Sequence, residues 1–179
     1  MNARIPEPIA PARKPDAIES GLRKLAPTLL RTAAETAGAF FGGQARPEST
    51  MKAPYVPDCE RLQCTQTNLG GEYALVCTLT TDRSGFGKLL PAGAPETIRL
   101  DAYRELVNCI CGGLLAEEGF SDAFGYLNPR LPSLGAGKAS EAAKTVTCAF
   151  RVEGVWFRIS LSLMEAVPGL AGAACEAIA

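Results

Sequence analysis

The stretch Thr145–Met164, TVTCAFRVEGVWFRISLSLM, constrains the fold of this chain more than any other. Phe157, Ile159, Leu161 and Leu163 alternate with Arg158, Ser160 and Ser162, and Trp156 falls on the polar side. That is the period-two pattern of a half-buried strand. Gly154 divides the stretch into Thr145–Glu153 and Val155–Met164, which predicts an antiparallel hairpin. A lone hairpin with one apolar face is marginal in water, so further strands and a covering layer must come from elsewhere in the chain.

Both are present. Glu60–Asn68 and Glu72–Thr80 flank Gly70-Gly71, and Tyr73, Leu75, Cys77 and Leu79 alternate, which predicts a second hairpin. Helical periodicity runs from about Ile18 to Phe41 through Leu22, Leu25, Leu29, Ala33 and Ala37. Pro27 either kinks that helix or marks the start of its main part, and Gly42-Gly43 stops it. A second long helix contains DAYRELVNCICGG, Asp101–Gly113, and is expected to end near Gly119. SGFGKLLPAGAPE before it fits a short helical turn or a loop, and SDAFGYLNPRLPSLGAGKAS after it reads as a loop. Residues 1–17, with prolines at 6, 8, 11 and 15, read as a flexible lead-in, and residues 166–179 as an Ala/Gly-rich tail. The rest, 18–165, is long enough for one domain with a core.

The order is helix–hairpin, then helix–hairpin. TAAETAGAFFGG (Thr32–Gly43) aligns with AYRELVNCICGG (Ala102–Gly113), so that Glu35 matches Glu105 and the glycine pairs coincide. Each hairpin carries a cysteine in its first strand, Cys64 and Cys148. Together these features predict an internal duplication, with pseudo-repeats at about 18–81 and 97–165. The expected fold class is α+β: duplicated helix–hairpin units, with two long helices on one face of a mainly antiparallel sheet.

Composition narrows the function. A net charge of −1 offers no footprint for nucleic acid. No apolar run approaches a membrane span, and the N-terminus lacks a signal peptide's hydrophobic stretch, so a soluble, cytoplasmic protein is expected. There is no histidine, which removes Ser-His-Asp and Cys-His chemistry. The seven cysteines include no C-x-x-C, and Cys109 and Cys111 would point to opposite sides of a helix, so buried small hydrophobes are expected and no metal site. LPSLGAGKAS and SGFGK lack the glycine and hydroxyl spacing of a phosphate-binding loop.

What remains is the second helix. On a helical wheel Tyr103, Leu106, Val107, Ile110 and Leu114 form one apolar stripe for the sheet. Asp101, Glu105, Asn108 and Gly112 recur on the opposite side. A Glu-x-x-Asn arises often by chance, and its default reading is a solvated helix face. Asn is nevertheless a mediocre helix former, and Gly112 costs about 1 kcal/mol relative to alanine.

RELVNCICGG resembles the signature helix of the chemotaxis phosphatases of the CheC/CheX/FliY family, Glu-Leu-x-Asn-x-x-x-Gly. The leading helix, the glycine-turned hairpin, LNPRLPSLGAG and CAFRVEGVWFRISLSLM follow in the family's order, from about Leu22 to Met164. With a single acid/amide motif, in the second repeat, the chain is most similar to the CheX branch. The resemblance implies a phosphatase acting on a phosphorylated CheY-like response regulator. Glu105 would dock by pairing with a lysine of the partner and Asn108 would orient the attacking water, with Asp101 and Gly112 also on the docking face. It implies no cofactor of the chain's own, since Mg2+ belongs to the partner receiver, and it implies a homodimer, with Trp156 a candidate contact or a partly covered surface aromatic. Gly38 replaces the amide in the first copy, so that half should be inactive, and Asp82–Leu100 is shorter than the family's helix at that point. The alternative is a catalytically silent module that keeps the fold and binds a partner.

Overall fold

The computed structural model describes residues 21–48, 60–70, 73–135 and 144–165. The lead-in 1–17, the tail 166–179 and Gly71 of the first turn lie outside them. Helix α1 spans Ala26–Phe41, α2 Arg83–Lys88, α3 Glu96–Ala116 and α4 Glu118–Phe124. The strands are β1 Ala45–Pro47, β2 Arg61–Gly70, β3 Tyr73–Asp82, β4 Asn128–Pro129, β5 Ser133–Leu134, β6 Lys144–Val152 and β7 Val155–Glu165.

Both hairpins form. β6 and β7 pair from Lys144↔Leu163 to Val152↔Val155. Their turn places Glu153 at φ 47° and Gly154 at φ 81°, the two positive values of a type I′ turn, whose twist matches that of the flanking strands. β2 and β3 pair along their whole length, from Arg61↔Asp82 to Gly70↔Tyr73. Every pairing in the sheet is antiparallel, and the order is β1-β6-β7-β3-β2-β4, with β5 also on β2.

That order is symmetric about the β7·β3 junction. Each repeat contributes a central strand and its hairpin partner, and each lends a short strand to the far edge of the other repeat. β1 pairs with β6, while β4 and β5 pair with β2. The centre shows the duplication in register. Cys64↔Leu79, Leu79↔Ile159 and Ile159↔Cys148 form one row across four strands, with a cysteine at each end. All four side chains lie in the core.

The long helices cover the face of the sheet that carries this row. Pro27 occupies the first turn of α1, where its missing N–H is not needed, so it marks the start of the main helix. Residues 21–24 are helical ahead of it. Gly42, at φ 66°, ends α1 with a left-handed cap. Tyr103 of α3 donates from Oη to Leu62 O (3.2 Å), and Phe86 meets the Tyr103 ring edge-on at 4.9 Å. Phe150 stacks on Phe157 at 5.3 Å beneath α1. The apolar stripe read from the sequence, Tyr103, Leu106, Val107, Ile110 and Leu114, is buried throughout.

One open alternative is decided and two expectations change. SGFGK is a short helix, because the Asp82 carboxylate accepts from the Gly85 N–H and the Ser84 hydroxyl and so caps it. The stretch after α3 is not wholly loop. It holds most of α4 and the two-residue strands β4 and β5, too short for any periodicity to reveal. Pro129 sits on that edge, where a strand can lack a donor. Trp156 is only 5% exposed within the single chain, so both of its readings, a candidate dimer contact and a partly covered surface aromatic, are corrected; its carbonyl accepts from Thr81 Oγ1 at 2.5 Å.

Candidate functional site

Helix α3 begins after Pro95 and carries Glu96 in its first turn, where a carboxylate complements the helix dipole. It continues without a break through Gly112-Gly113 to Ala116. The two glycines do different things. A Cβ on Gly112 would meet nothing within 4 Å, whereas one on Gly113 would come within 3.0 Å of Thr32 Cγ2 on α1. Gly113 lets the helices approach, and Gly112 leaves bare backbone on the outer side.

Glu105 and Asn108 are both exposed, one helical turn apart, on the side of α3 away from the sheet. Among the described residues no hydrogen bond engages the Asn108 amide. Its carbonyl and both amide hydrogens are available to a partner or to water. Glu105 accepts from the Cys109 thiol through Oε1 at 3.5 Å. Burial, then that bond and the Glu105 charge, push the Cys109 thiol up from its ordinary range. Asp101, also exposed, is held by Arg104 Nη1 at 2.8 Å. The four candidate positions, Asp101, Glu105, Asn108 and Gly112, therefore share one solvent-facing stripe.

The equivalent face of α1 is built differently. Glu35 is exposed beside Arg31 at 3.4 Å, but Gly38 is buried where the chain folds back into β1. A Cβ there would lie 3.0 Å from Gly43 O and 3.4 Å from Ala45 N. Any side chain at that position would crowd this turn. A groove of about 540 Å3 runs beside it, lined by Pro27, Leu30, Gly38 and Ala45.

Sequence reasoning missed the Glu105–Cys109 contact, although the i,i+4 spacing carries it. It also missed Glu117, whose carboxylate takes Arg31 Nη2 at 2.9 Å and Thr32 Oγ1 at 3.0 Å and ties the end of α3 to α1. No pattern within either helix signals that contact. Four of the five described cysteines are buried, and among the described residues no three His, Cys, Asp or Glu side chains converge as metal ligands. No described helix is long and apolar enough to cross a membrane.

Glu105 and Asn108 thus stand exposed on one of the two long helices that cover the antiparallel sheet. No protein-family model matches the sequence, and no curated protein is significantly similar to it. Solved structures match the fold. The chemotaxis protein CheX from Vibrio vulnificus superposes with a TM-score of 0.58 at 11% identity, over 75% of this chain and 93% of that one. A CheC-like superfamily protein from Shewanella sp. PV-4 gives 0.58 at 16% identity, over 84% and 99%. A structure of the CheX-CheY-BeF3-Mg2+ complex from Borrelia burgdorferi gives 0.56 at 11% identity, over 78% and 97%. The chain has the CheC/CheX fold, as the resemblance in the sequence implied.

Proposed function

We propose that this protein is a CheX-like phosphatase that accelerates hydrolysis of the aspartyl phosphate on a CheY-like response regulator in chemotaxis or two-component signalling. The observation that carries the reading is the pairing of an exposed Glu105 with an exposed, unengaged Asn108 on a helix of this fold. The amide is the group suited to the task. It can donate an N–H to a phosphoryl oxygen and accept from the attacking water, which in-line hydrolysis needs more than covalent help. Water attacks phosphorus, the bond to the aspartyl oxygen breaks, and the receiver carboxylate and inorganic phosphate are released. Glu105 docks on a lysine of the receiver, and the receiver supplies its own magnesium. The protein acts in the cytoplasm and as a homodimer.

The test is phosphate release from a phosphorylated CheY-type receiver with wild type and Asn108→Ala. Acceleration by wild type that Asn108→Ala loses supports the reading. Decay at the receiver's intrinsic rate with both proteins defeats it, and binding of the receiver without acceleration establishes the silent module instead.

A further inference from the structure

The first turn of α3 carries a side chain that the fold does not use. Ile98 is 55% exposed, although isoleucine is a residue that folding ordinarily buries. The large hydrophobics most exposed among the described residues are Ile98, Tyr126 and Leu131, and of these Ile98 alone lies on the helix that bears Glu105 and Asn108. A single exposed hydrophobic means little by itself. Its position means more. Ile98 precedes Asp101 by three residues and Glu105 by seven, so it falls on the same stripe as Asp101, Glu105, Asn108 and Gly112.

The turn that bears it is also anchored. Glu96, Thr97 and Ile98 are all exposed, so this turn buries little. It is held from outside the helix nonetheless. Arg83 of α2 pairs with Glu96 at 2.8 Å, and Arg99 Nε donates to Ala94 O at 3.0 Å. A helix end that contributes little to the core would fray without such ties. Here two contacts tie it to the preceding segments, and Ile98 stands exposed.

We infer that Ile98 is the apolar anchor of the receiver-docking face, a specificity-determining residue that extends the Glu105–Asn108 pair toward the helix N-terminus. This rests on the proposed phosphatase reading and commits to its partner. Ten residues of helix separate Ile98 from Asn108, a rise of about 15 Å. The occupant is therefore a receiver domain with an apolar patch about 15 Å from its phosphorylated aspartate and a cation between the two, opposite Glu105. An apolar side chain of this size, buried at an interface, contributes roughly ten- to hundred-fold in affinity. Docking by three points in a line also fixes the direction in which the receiver lies along α3, which a single charge pair does not.

The experiment measures dephosphorylation kinetics, and affinity for the beryllofluoride-activated receiver, for wild type, Ile98→Asp, Ile98→Thr, Ile98→Val and Asn108→Ala. An exposed position in the first helical turn accepts aspartate without loss of the fold, because a carboxylate there complements the dipole. Ile98→Thr separates the lost apolar contact from the added charge. The expected result is a KM raised tenfold or more by Ile98→Asp and several-fold by Ile98→Thr, a near wild-type Ile98→Val, and kcat at saturation within twofold in all three. Asn108→Ala shows the opposite split. Wild-type KM in Ile98→Asp, with kcat still lost in Asn108→Ala, overturns the anchor and leaves the phosphatase standing. A wild-type protein that neither binds nor accelerates any receiver overturns both.

Discussion

Gly113 and Thr32 set the distance between the two long helices: a Cβ on Gly113 would lie 3.0 Å from Thr32 Cγ2. Gly112, its neighbour in sequence, faces open space. The same substitution at the two positions should therefore diverge. Gly112→Ala gains helix propensity and raises stability by up to about 1 kcal/mol. Gly113→Ala gains the same propensity but must push Thr32 aside, and overpacking costs about 1–3 kcal/mol. Urea unfolding of both variants should place Gly112→Ala above wild type and Gly113→Ala below Gly112→Ala. Equal midpoints would mean that the helix contact is not tight.

The proposed phosphatase reading gives Glu105 and Asn108 two separable kinetic roles. Asn108→Ala should lower kcat for receiver dephosphorylation by about 100-fold, the scale of other lost positioning donors. Glu105→Ala should mainly raise KM, because an exposed charge contributes to docking rather than to the reacting atoms. Steady-state kinetics with a phosphorylated receiver distinguish the two, and identical effects on kcat would contradict the assignment.

The first repeat should not be restorable. Gly38→Asn recreates the acid/amide spacing with Glu35, but its Cβ would meet Gly43 O at 3.0 Å. The expected outcome is lower thermal stability and no rescue of activity in an Asn108→Ala background. Rescue would show that the turn between α1 and β1 can move aside.

The Glu117 tie predicts a pH dependence. The hydrogen bonds from Arg31 and then Thr32 hold the Glu117 carboxyl below its ordinary value of 4.5. Because the folded value is depressed, the stabilisation is fully present above the unfolded value and is lost as pH falls through the folded one. Glu117→Gln should thus narrow the gap in unfolding free energy between pH 7 and pH 3. An unchanged gap in denaturant titrations at the two pH values would remove Glu117 from the acid response.

Thiol reactivity tests the burial. Cys64 is pushed up to about 11, chiefly by burial, and Cys77, Cys111 and Cys148 are buried with it. In a Cys59→Ser, Cys175→Ser background, maleimide should label Cys109 first, and more slowly than a free thiol because burial and then Glu105 disfavour its thiolate. Mass spectrometry that finds Cys64 or Cys77 labelled first would contradict the core.

Much of this protein is determined by local pattern. Period-two alternation placed both hairpins, helical periodicity placed the buried stripe of Tyr103 to Leu114, and glycines at 42 and 154 marked a helix end and a turn. These depend on neighbours within a few residues, so they can be read from the chain directly. The paired cysteines and the repeated Glu and Gly-Gly spacings predicted a duplication, which the row Cys64–Leu79–Ile159–Cys148 then shows in register. Tertiary structure alone decided the remainder. Exchange of β1 against β4 and β5 between the repeats involves strands too short to carry a period. The burial of Trp156 and the crowding at Gly38 depend on segments far away in sequence or on how a turn closes. Asn108 and Gly38 share a place in the repeat, yet one stands in solvent and the other beneath Ala45, because only after α1 does the chain double back over its own helix end.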